Sequence, residues 1–323
     1  MPGPPSAEPG LPQRRAPDFY IVGHAKCGTT ALYQMLRSHP QIFMPELKET
    51  RFFALELHPL PREGGEHPHT LDAYTALFAA AAPGQRTGEA SPSYIRSEHA
   101  AQRIARLRPD ARIVAILREP ASFLRSLHLQ LLQAQVETEA DLRGALALEE
   151  TRRARRARGD AQIQQGLMYL EHVRYVEQLR RYHAEFAREQ VLVLIYEDFQ
   201  ADNEGTMRRV LRFLDVDDDS PIEPVQAHPT VRVRSPRLHR LVRALRVERG
   251  PVVTRARAAI RATTTRRMRR GVLSLSRRAQ LAPPRPPDEG LMLELRHCFK
   301  DEVLALSEYL DRDLVTLWGY DRI

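Results

Sequence analysis

Three short runs of apolar, largely β-branched residues stand out along the first 200 positions of the chain. They are Phe19 to Val22, Arg112 to Leu117 and Val191 to Ile195. Each run is nearly continuous in its apolar character instead of alternating with polar residues, which is typical of strands that are buried on both faces of a parallel sheet. The pattern therefore predicts a buried, mainly parallel sheet.

Between and after these runs, apolar residues recur at the spacing of helices. The segments with this spacing begin at Thr29 and Ala121 or cover Leu71 to Ala82, Glu137 to Arg158, Gln165 to Phe186, Glu204 to Leu214 and Leu291 to Leu310. Strands that alternate with helices are typical of an α/β protein. We therefore expect a P-loop-like, three-layer α/β fold, in which helices flank a central, mainly parallel sheet.

Length and composition fit one such domain with a sizeable core, because the chain has 323 residues of which 42% are hydrophobic. Residues 1–17 are rich in Pro, Gly, Ser and Ala and lack the apolar core of a signal peptide, so we expect a disordered tail. No apolar run reaches 18 residues, and no membrane span is expected. We therefore predict one domain over residues 18–323 of a cytoplasmic protein, and its two cysteines, Cys27 and Cys298, predict neither a zinc cluster nor a structural disulfide.

The positive charge is concentrated in one segment. Residues 231–281 contain sixteen arginines and a single acidic residue, Glu248, which gives +15, whereas the whole chain carries +8 and the remainder therefore −7. This Arg-rich segment is open to several interpretations: a lid, a patch for an anionic acceptor, a membrane-surface helix, or simply a solvated helix. The acidic remainder shows no known nucleic-acid-binding module, so a nucleic-acid partner is not expected.

Candidate chemistry begins directly after the first predicted strand. Gly23 and Gly28 bracket a loop that leads into the helix starting at Thr29. Strand, glycine-containing loop and helix form a phosphate cradle, since backbone N–H groups and the positive end of the helix point at one place. The spacing of the two glycines matches a Walker loop, but Thr29 occupies the lysine position and the lysine, Lys26, lies inside the loop. The sequence thus favours a phosphate ester that reacts without a metal, and a P-loop phosphotransferase or nucleotide hydrolase stays open as an alternative.

The run from Lys26 to Thr30, Lys-Cys-Gly-Thr-Thr, resembles the 5′-phosphosulfate loop of sulfotransferases that use 3′-phosphoadenylyl sulfate (PAPS). Ala31 follows the two threonines where the cytosolic phenol branch has Trp, so the chain is more similar to the carbohydrate branch, the heparan sulfate enzymes and their bacterial relatives. The resemblance implies a bacterial member of this branch. It also implies donor contacts from Lys26, Cys27, Gly28, Thr29 and Thr30, and it leaves the group that stacks on adenine unidentified.

The same resemblance implies a catalytic base. Glu49 lies three residues before the pair Phe52-Phe53, the place of the proposed base in the glycan branch, and Lys48 is next to it. A charged turn leading into two core aromatics is the alternative interpretation of this segment. Ala90 stands where the branch often has a lysine, so that cation is not carried over.

Further donor contacts are implied farther along the chain. Arg118 follows a predicted strand directly, and Ser126 lies eight residues later, which resembles the 3′-phosphate site of the family; a guanidinium suits a terminal phosphate dianion. Tyr196 in Tyr-Glu-Asp resembles a donor contact at another strand end. Arg232 and Arg234 are candidates for the basic loop that closes over the donor phosphates, although the family's glycine-containing motif is missing there.

Together these features predict an enzyme that transfers a sulfuryl group from PAPS, without a metal, to a hydroxyl or amine of an acceptor. Glycans, lipids and small natural products all remain open as acceptors, and the oligomeric state is left open as well. A non-catalytic polyanion-binding protein is the third alternative, based on the charge of the Arg-rich segment.

Overall fold

Five strands form the central sheet, and all of its neighbouring strands run parallel. The computed structural model of the protein describes residues 15–57, 67–160, 164–222, 232–233 and 281–323. In chain order the strands are β1 (Phe19–Gly23), β2 (Ile42–Phe43), β3 (Arg86–Ala90), β4 (Arg112–Leu117) and β5 (Val191–Ile195), and in the sheet their order is β2-β3-β1-β4-β5. The three predicted strands are confirmed, as is a parallel α/β fold.

Strands β2 and β3 were not predicted from the sequence. The sequence of β3, Arg-Thr-Gly-Glu-Ala, contains one β-branched residue and two charges, so its apolar pattern is weak. The strand forms because it pairs with β1, where Phe19 lies opposite Gly88. A Cβ atom on Gly88 would come within 2.1 Å of Cζ of Phe19, so the glycine leaves room for the phenyl ring. Tertiary pairing and close packing thus produce a strand that local preference does not indicate.

Helices lie between and after the strands along the described part of the chain. In chain order they are α1 (Thr29–Arg37), α2 (Leu71–Ala76), α3 (Ala100–Leu107), α4 (Pro120–Ala134), α5 (Leu142–Ala147), α6 (Glu149–Ala157), α7 (Tyr175–His183), α8 (Tyr196–Ala201), α9 (Asn203–Phe213), α10 (Glu289–Leu310) and α11 (Leu314–Leu317). The predicted helices starting at Thr29 and near Ala121, and those now labelled α9 and α10, agree with the structure within two residues.

Three predicted helices are wrong in their bounds. The first, from Leu71, ends at Ala76 instead of Ala82. In the segment 137–158 the Glu137 carboxylate accepts backbone N–H groups in a turn and Asp141 caps α5 at Gly144, so the first helix begins only at Leu142. A second helix, α6, begins at Glu149. From residue 165, short 3₁₀ turns precede α7, and the side chain of Gln178 donates to two backbone carbonyls of these turns.

The described residues form two compact units. The first contains the sheet and comprises the described residues up to Phe123, those from Met168 to 222, and Leu295–Ile323. The second comprises the described residues of Leu124–Leu167 and of 229–294, and it includes a two-stranded antiparallel pairing of Arg232–Val233 with Leu281–Ala282. A single domain over 18–323 stays a prediction, and most of the Arg-rich segment lies outside the described residues, as do residues 1–14 of the predicted tail.

An aromatic cluster fills the first unit on one side of β1. The rings of Tyr20, Phe53, Tyr74 and Tyr94 are almost completely buried, and Phe53 lies 5.9, 5.2 and 5.7 Å from the other three ring centres. Phe52 stacks on Tyr74 at 4.5 Å. The Phe52-Phe53 pair therefore anchors the segment that precedes it, which is the segment containing Glu49.

Candidate active site

The glycine-bracketed loop lies at the carboxyl end of β1. The N–H of His24 donates to the carbonyl of Ile116 in β4 at 2.7 Å, and that of Cys27 donates back to His24 at 3.3 Å. Lys26 and Gly28 both have left-handed backbones, with φ of 63° and 87°. The loop thus turns tightly between the strand and the first turn of α1, which begins at Thr29, as a phosphate cradle requires.

A buried histidine fixes the base of this loop. His24 is 1% exposed, and its Nε2 donates to Oε1 of Gln178 at 2.8 Å. Gln178 donates its own amide N–H groups to the carbonyls of Glu171 and His172, which leaves Oε1 as an acceptor. Burial lowers the pKa of His24 to about 3, so the ring is neutral with its proton on Nε2.

Cys27 contributes to the loop through its backbone. The thiol is fully buried, and burial raises its pKa well above the ordinary range. A neutral, inaccessible thiol is a poor nucleophile, so redox or covalent chemistry at this cysteine is not indicated. Thr29 is buried and Thr30 half-buried at the start of α1, where hydroxyl and N–H groups lie next to the loop.

Arg118 connects the loop to the ends of two neighbouring strands. The residue directly follows β4, and its Nη1 donates to the carbonyl of Lys26 at 3.2 Å. Its guanidinium lies over the ring of Tyr196, 4.5 Å from the ring centre, and Tyr196 directly follows β5. The hydroxyl of Tyr175 donates to the backbone carbonyl of Arg118 at 2.9 Å. Three residues predicted from separate motifs, Lys26, Arg118 and Tyr196, are therefore brought together.

Two cations lie close together in this group. Burial lowers the pKa of Lys26, and the charge of Arg118 lowers it further. Nε of Arg118 is buried and makes no hydrogen bond within the described part of the chain. Concentrated positive charge and an orphaned guanidinium N–H are the features of a site that accepts an anion.

Glu49 lies at the same edge of the sheet. Its N–H donates to the carbonyl of Ala90 at the end of β3 at 3.0 Å, and Ala90 pairs with Ile21 of β1. The carboxylate accepts from Nζ of Lys48 at 2.8 Å and from Nη2 of Arg51 at 3.2 Å. Burial alone would raise the pKa of Glu49, but Lys48 and Arg51 outweigh it, so the pKa is lowered and the group is an ionised base at neutral pH.

Comparison with known proteins agrees with this geometry. Residues 16–235 match the family model described as "Sulfotransferase domain", a span that covers more than half of the chain and includes the loop, Glu49, Arg118 and Tyr196. The chain belongs to the sulfotransferase family.

Individual relatives refine the placement of this sulfotransferase domain. It is 32% identical over 138 residues to heparan sulfate glucosamine 3-O-sulfotransferase 6 of Mus musculus, a match that covers 38% of this chain and 35% of that protein. With carbohydrate sulfotransferase 15 of Mus musculus it shares 26% identity over 259 residues, or 63% of this chain and 44% of that protein. The chain thus spans less than half the length of both relatives. The resemblance to the carbohydrate branch is confirmed.

A solved structure matches over nearly the whole chain. A sulfotransferase from Alicyclobacillus acidocaldarius superposes with a TM-score of 0.66 and 26% identity, covering 94% of this chain and 99% of that one. The central parallel sheet with flanking helices is therefore the sulfotransferase fold.

The other predicted donor contacts are Ser126, Arg232 and Arg234, and none of them belongs to the described part of the first unit. Ser126 is buried in α4 and belongs to the second unit, so its pairing with Arg118 stays a prediction. The backbone of Arg232 is in the short strand pairing described above, and Arg234 lies outside the described residues. Over the described ranges there is neither a group of three His, Cys, Asp or Glu residues that could hold a metal nor a helix long and apolar enough to cross a membrane.

Three acidic residues behind the candidate site were not predicted from the sequence. Glu89 is completely buried on β3 and accepts four hydroxyl groups, and Glu119, next to Arg118, accepts from the hydroxyl of Tyr320 at 2.8 Å. Glu197, next to Tyr196, accepts from Nε1 of Trp318 at 3.0 Å. In the sequence, each of these glutamates is recognisable only as an acidic residue near the end of a strand. No sequence pattern indicates which hydroxyl or N–H groups they bind.

Proposed function

We propose that the protein transfers a sulfuryl group from PAPS to a hydroxyl or amine of an acceptor. The observation that carries the proposal is the meeting of Lys26, Arg118 and Tyr196 beside the loop, with the ionised Glu49 at the same edge of the sheet. Family membership supports the reaction type. The residues that perform it are assigned here from geometry and from the resemblance of the motifs.

The described site suits a nucleotide that carries two separate anionic groups. The 5′-phosphosulfate would be held by Lys26, Thr29 and Thr30 and by the N–H groups of the loop, including those of Cys27 and Gly28. Arg118 has an unpartnered Nε in the described structure and would bind the 3′-phosphate together with Ser126. Tyr196 would contact the nucleoside, and Arg232 and Arg234 would cover the phosphates.

The reaction follows from these roles. The hydroxyl oxygen or amine nitrogen of the acceptor bonds to sulfur, and Glu49 takes the proton that this atom loses. At the same time the bond between sulfur and the 5′-phosphate oxygen breaks. Lys26 and the N–H groups of the loop stabilise the negative charge that develops on that oxygen. The sulfuryl group carries less negative charge than a phosphoryl group, so we expect no requirement for a divalent metal.

Donor identity is tested by ligand-induced stabilisation. We expect 3′-phosphoadenosine 5′-phosphate to raise the melting temperature of the protein, because a ligand that binds only the folded state stabilises it by mass action. ATP, which lacks the 3′-phosphate, is expected to give a much smaller shift. Stabilisation by ATP and magnesium together with ATP turnover would instead support a P-loop phosphotransferase.

The role of Lys26 is tested by Lys26→Ala. Loss of a charge aimed at the leaving oxygen is expected to lower kcat by about 100-fold or more in a PAPS-dependent transfer assay. Lys300→Ala is the matched control, because Lys300 bonds the carbonyl of Ile323 and takes no part in the site. A Lys26→Ala protein with a near wild-type rate would contradict the assignment.

The acceptor is proposed to be a glycan, lipid or small natural product, in line with the carbohydrate relatives. Incubation with PAPS and a panel of such compounds, read by the mass gained per transferred sulfuryl group, identifies it. We also propose a cytoplasmic location with peripheral membrane contact through residues 231–281, supported by the +15 charge of this segment. Flotation with anionic and with neutral vesicles tests this contact, and equal binding to both would contradict it.

A further inference from the structure

Glu89 is a completely buried carboxylate that the proposed reaction does not use. Its Oε1 accepts from Oγ1 of Thr50 at 2.8 Å and from Oγ of Ser91 at 2.5 Å. Its Oε2 accepts from the hydroxyls of Tyr74 at 2.7 Å and Tyr94 at 3.0 Å. Burial raises the pKa of Glu89, and the hydrogen bonds from these four hydroxyl groups oppose that shift. Two hydroxyl donors on each oxygen occupy the acceptor positions of the carboxylate without any counter-cation. We call these five residues the hydroxyl clamp.

The hydroxyl clamp is attached directly to the segment that carries Glu49. Thr50 directly follows Glu49 in the chain, so the hydrogen bond from Thr50 to Glu89 holds the residue next to the Glu49 carboxylate. The N–H of Arg51 donates to Oγ of Ser91 at 3.1 Å, and the N–H of Glu49 donates to Ala90 at 3.0 Å. Residues 49, 50 and 51 are thus each fixed to β3 or to the residue that follows it.

The hydroxyl clamp holds a backbone conformation that is unfavourable in itself. Glu49 and Arg51 have φ of 63° and 58°, the left-handed region, which is unfavourable for a residue with a side chain. Such conformations persist only where the surroundings over-determine them. Between the two lies Thr50, 2% exposed, with its hydroxyl on Glu89.

We propose that Glu89 is a positioning residue, which through the hydroxyl clamp holds the backbone of residues 49–51 so that the Glu49 carboxylate stays with Lys48 and Arg51 at the mouth of the site. The inference rests on the proposed function in that Glu49 is the base. Glu89 itself does not touch the reacting atoms, because it is fully buried and all four of its acceptor positions are occupied.

Two matched Thr→Val variants separate positioning from stability. Thr50→Val removes a hydroxyl donor of Glu89 inside the 49–51 segment. Thr87→Val removes an equally buried hydroxyl, which donates to Oδ2 of Asp18 at 3.0 Å. Thr87 is on β3, as Glu89 is, but in the described structure its hydroxyl makes no hydrogen bond to residues 49–51. Each loses one buried hydrogen bond to a carboxylate and one accepted from a backbone N–H, that of Phe52 at 3.4 Å or that of Asp18 at 3.3 Å, so we expect comparable decreases in melting temperature. Thr50→Ser restores the hydroxyl and is the rescue variant.

The expected kinetic signature is confined to Thr50→Val. Its kcat falls on the order of 10- to 100-fold, because small displacements of a catalytic group have effects of this size, while KM for PAPS changes less than twofold. The acid limb of its pH–rate profile moves to higher pH, since a carboxylate that drifts from Lys48 and Arg51 loses the charges that lower its pKa. Thr87→Val and Thr50→Ser keep the wild-type profile.

A second readout does not depend on activity. Hydrogen exchange of the peptide that spans residues 48–53 is expected to speed up in Thr50→Val and to stay unchanged in Thr87→Val. Wild-type kcat, profile and exchange in a folded Thr50→Val protein would overturn the positioning role. If the wild type itself transfers no sulfuryl group, the proposed function fails, and the exchange experiment still decides whether the clamp holds this segment.

Discussion

At the scale of single residues, two ionisable groups have opposite surroundings. Glu49 is surrounded by cations that lower its pKa, and His24 is buried among aromatic rings with one amide partner. The first environment keeps a carboxylate charged and accessible, as a base requires. The second keeps an imidazole neutral and immobile, as the floor of an anion-binding loop requires.

Replacing the proposed base, Glu49, isolates its chemical role. Glu49→Gln keeps the size of the side chain and a hydrogen bond to Lys48 but cannot accept a proton. We expect kcat to fall by about 100- to 10,000-fold, while stabilisation by 3′-phosphoadenosine 5′-phosphate is unchanged. Glu46→Gln, on an exposed carboxylate paired with Arg37, is the control and should transfer at the wild-type rate. A fully active Glu49→Gln enzyme would remove Glu49 from the mechanism.

Burial of His24 predicts a particular loss of stability in acid. The folded-state pKa of about 3 lies below the unfolded value of 6.5, so between these values the unfolded state binds more protons and the free energy of unfolding decreases as pH falls. The slope from this group approaches about 1.4 kcal/mol per pH unit. In His24→Gln, denaturant titrations from pH 7 to 4 should show a shallower decline than in the wild type. An unchanged slope would mean that His24 titrates normally.

At the scale of elements, the turn from β1 into α1 shapes the loop that is proposed to bind the anionic end of the donor. Gly28 has φ of 87°, and a Cβ atom there would lie 3.0 Å from Cδ1 of Phe199 and 3.5 Å from Cδ2 of Tyr196. A side chain at this position would therefore strain the tight turn and crowd α8, the helix that follows β5.

Two Gly→Ala variants distinguish backbone strain from this packing. Gly84→Ala has the same kind of backbone, φ of 85°, but no neighbouring atom within 4 Å of the new Cβ. Both changes should lower the free energy of unfolding by about 1–2 kcal/mol. Only Gly28→Ala should also weaken binding of 3′-phosphoadenosine 5′-phosphate, by roughly tenfold or more, as measured by calorimetry. Equal affinity in the two variants would show that the turn does not shape the donor site.

At the scale of the whole molecule, residues 312–320 support the residues behind the proposed donor site. Tyr320 and Trp318 donate to Glu119 and Glu197, and Arg312 pairs with Asp198 at 2.6 Å. Glu119 in turn accepts the N–H groups of the first turn of α4. The strand ends that present Arg118 and Tyr196 are therefore tied to a segment more than 110 residues away in sequence.

Tyr320→Phe tests this support. Loss of its hydroxyl should cost about 1 kcal/mol of stability, leaving Glu119 without one partner, and should weaken nucleotide binding, because Arg118 is the preceding residue. Tyr309→Phe also removes a hydrogen bond near the chain end, to Nδ1 of His183, and should leave nucleotide affinity unchanged. The opposite order of affinities in the two variants would contradict the coupling.

The sequence alone determined the three apolar strands, the parallel α/β fold, the cradle with its displaced lysine and the family, because buried strands and phosphate loops depend on neighbouring residues. The tertiary structure alone decided the polar strand β3 and the hydrogen-bond partners of the buried side chains behind the candidate site. The polar strand β3 forms through its pairing with β1, and Thr50 on Glu89, Gln178 on His24 and Tyr320 on Glu119 come from distant segments whose side chains meet only when the sheet is assembled. Hydrogen bonds between such segments leave no periodic pattern in the chain, since any Thr, Tyr or Gln placed there by folding can make them.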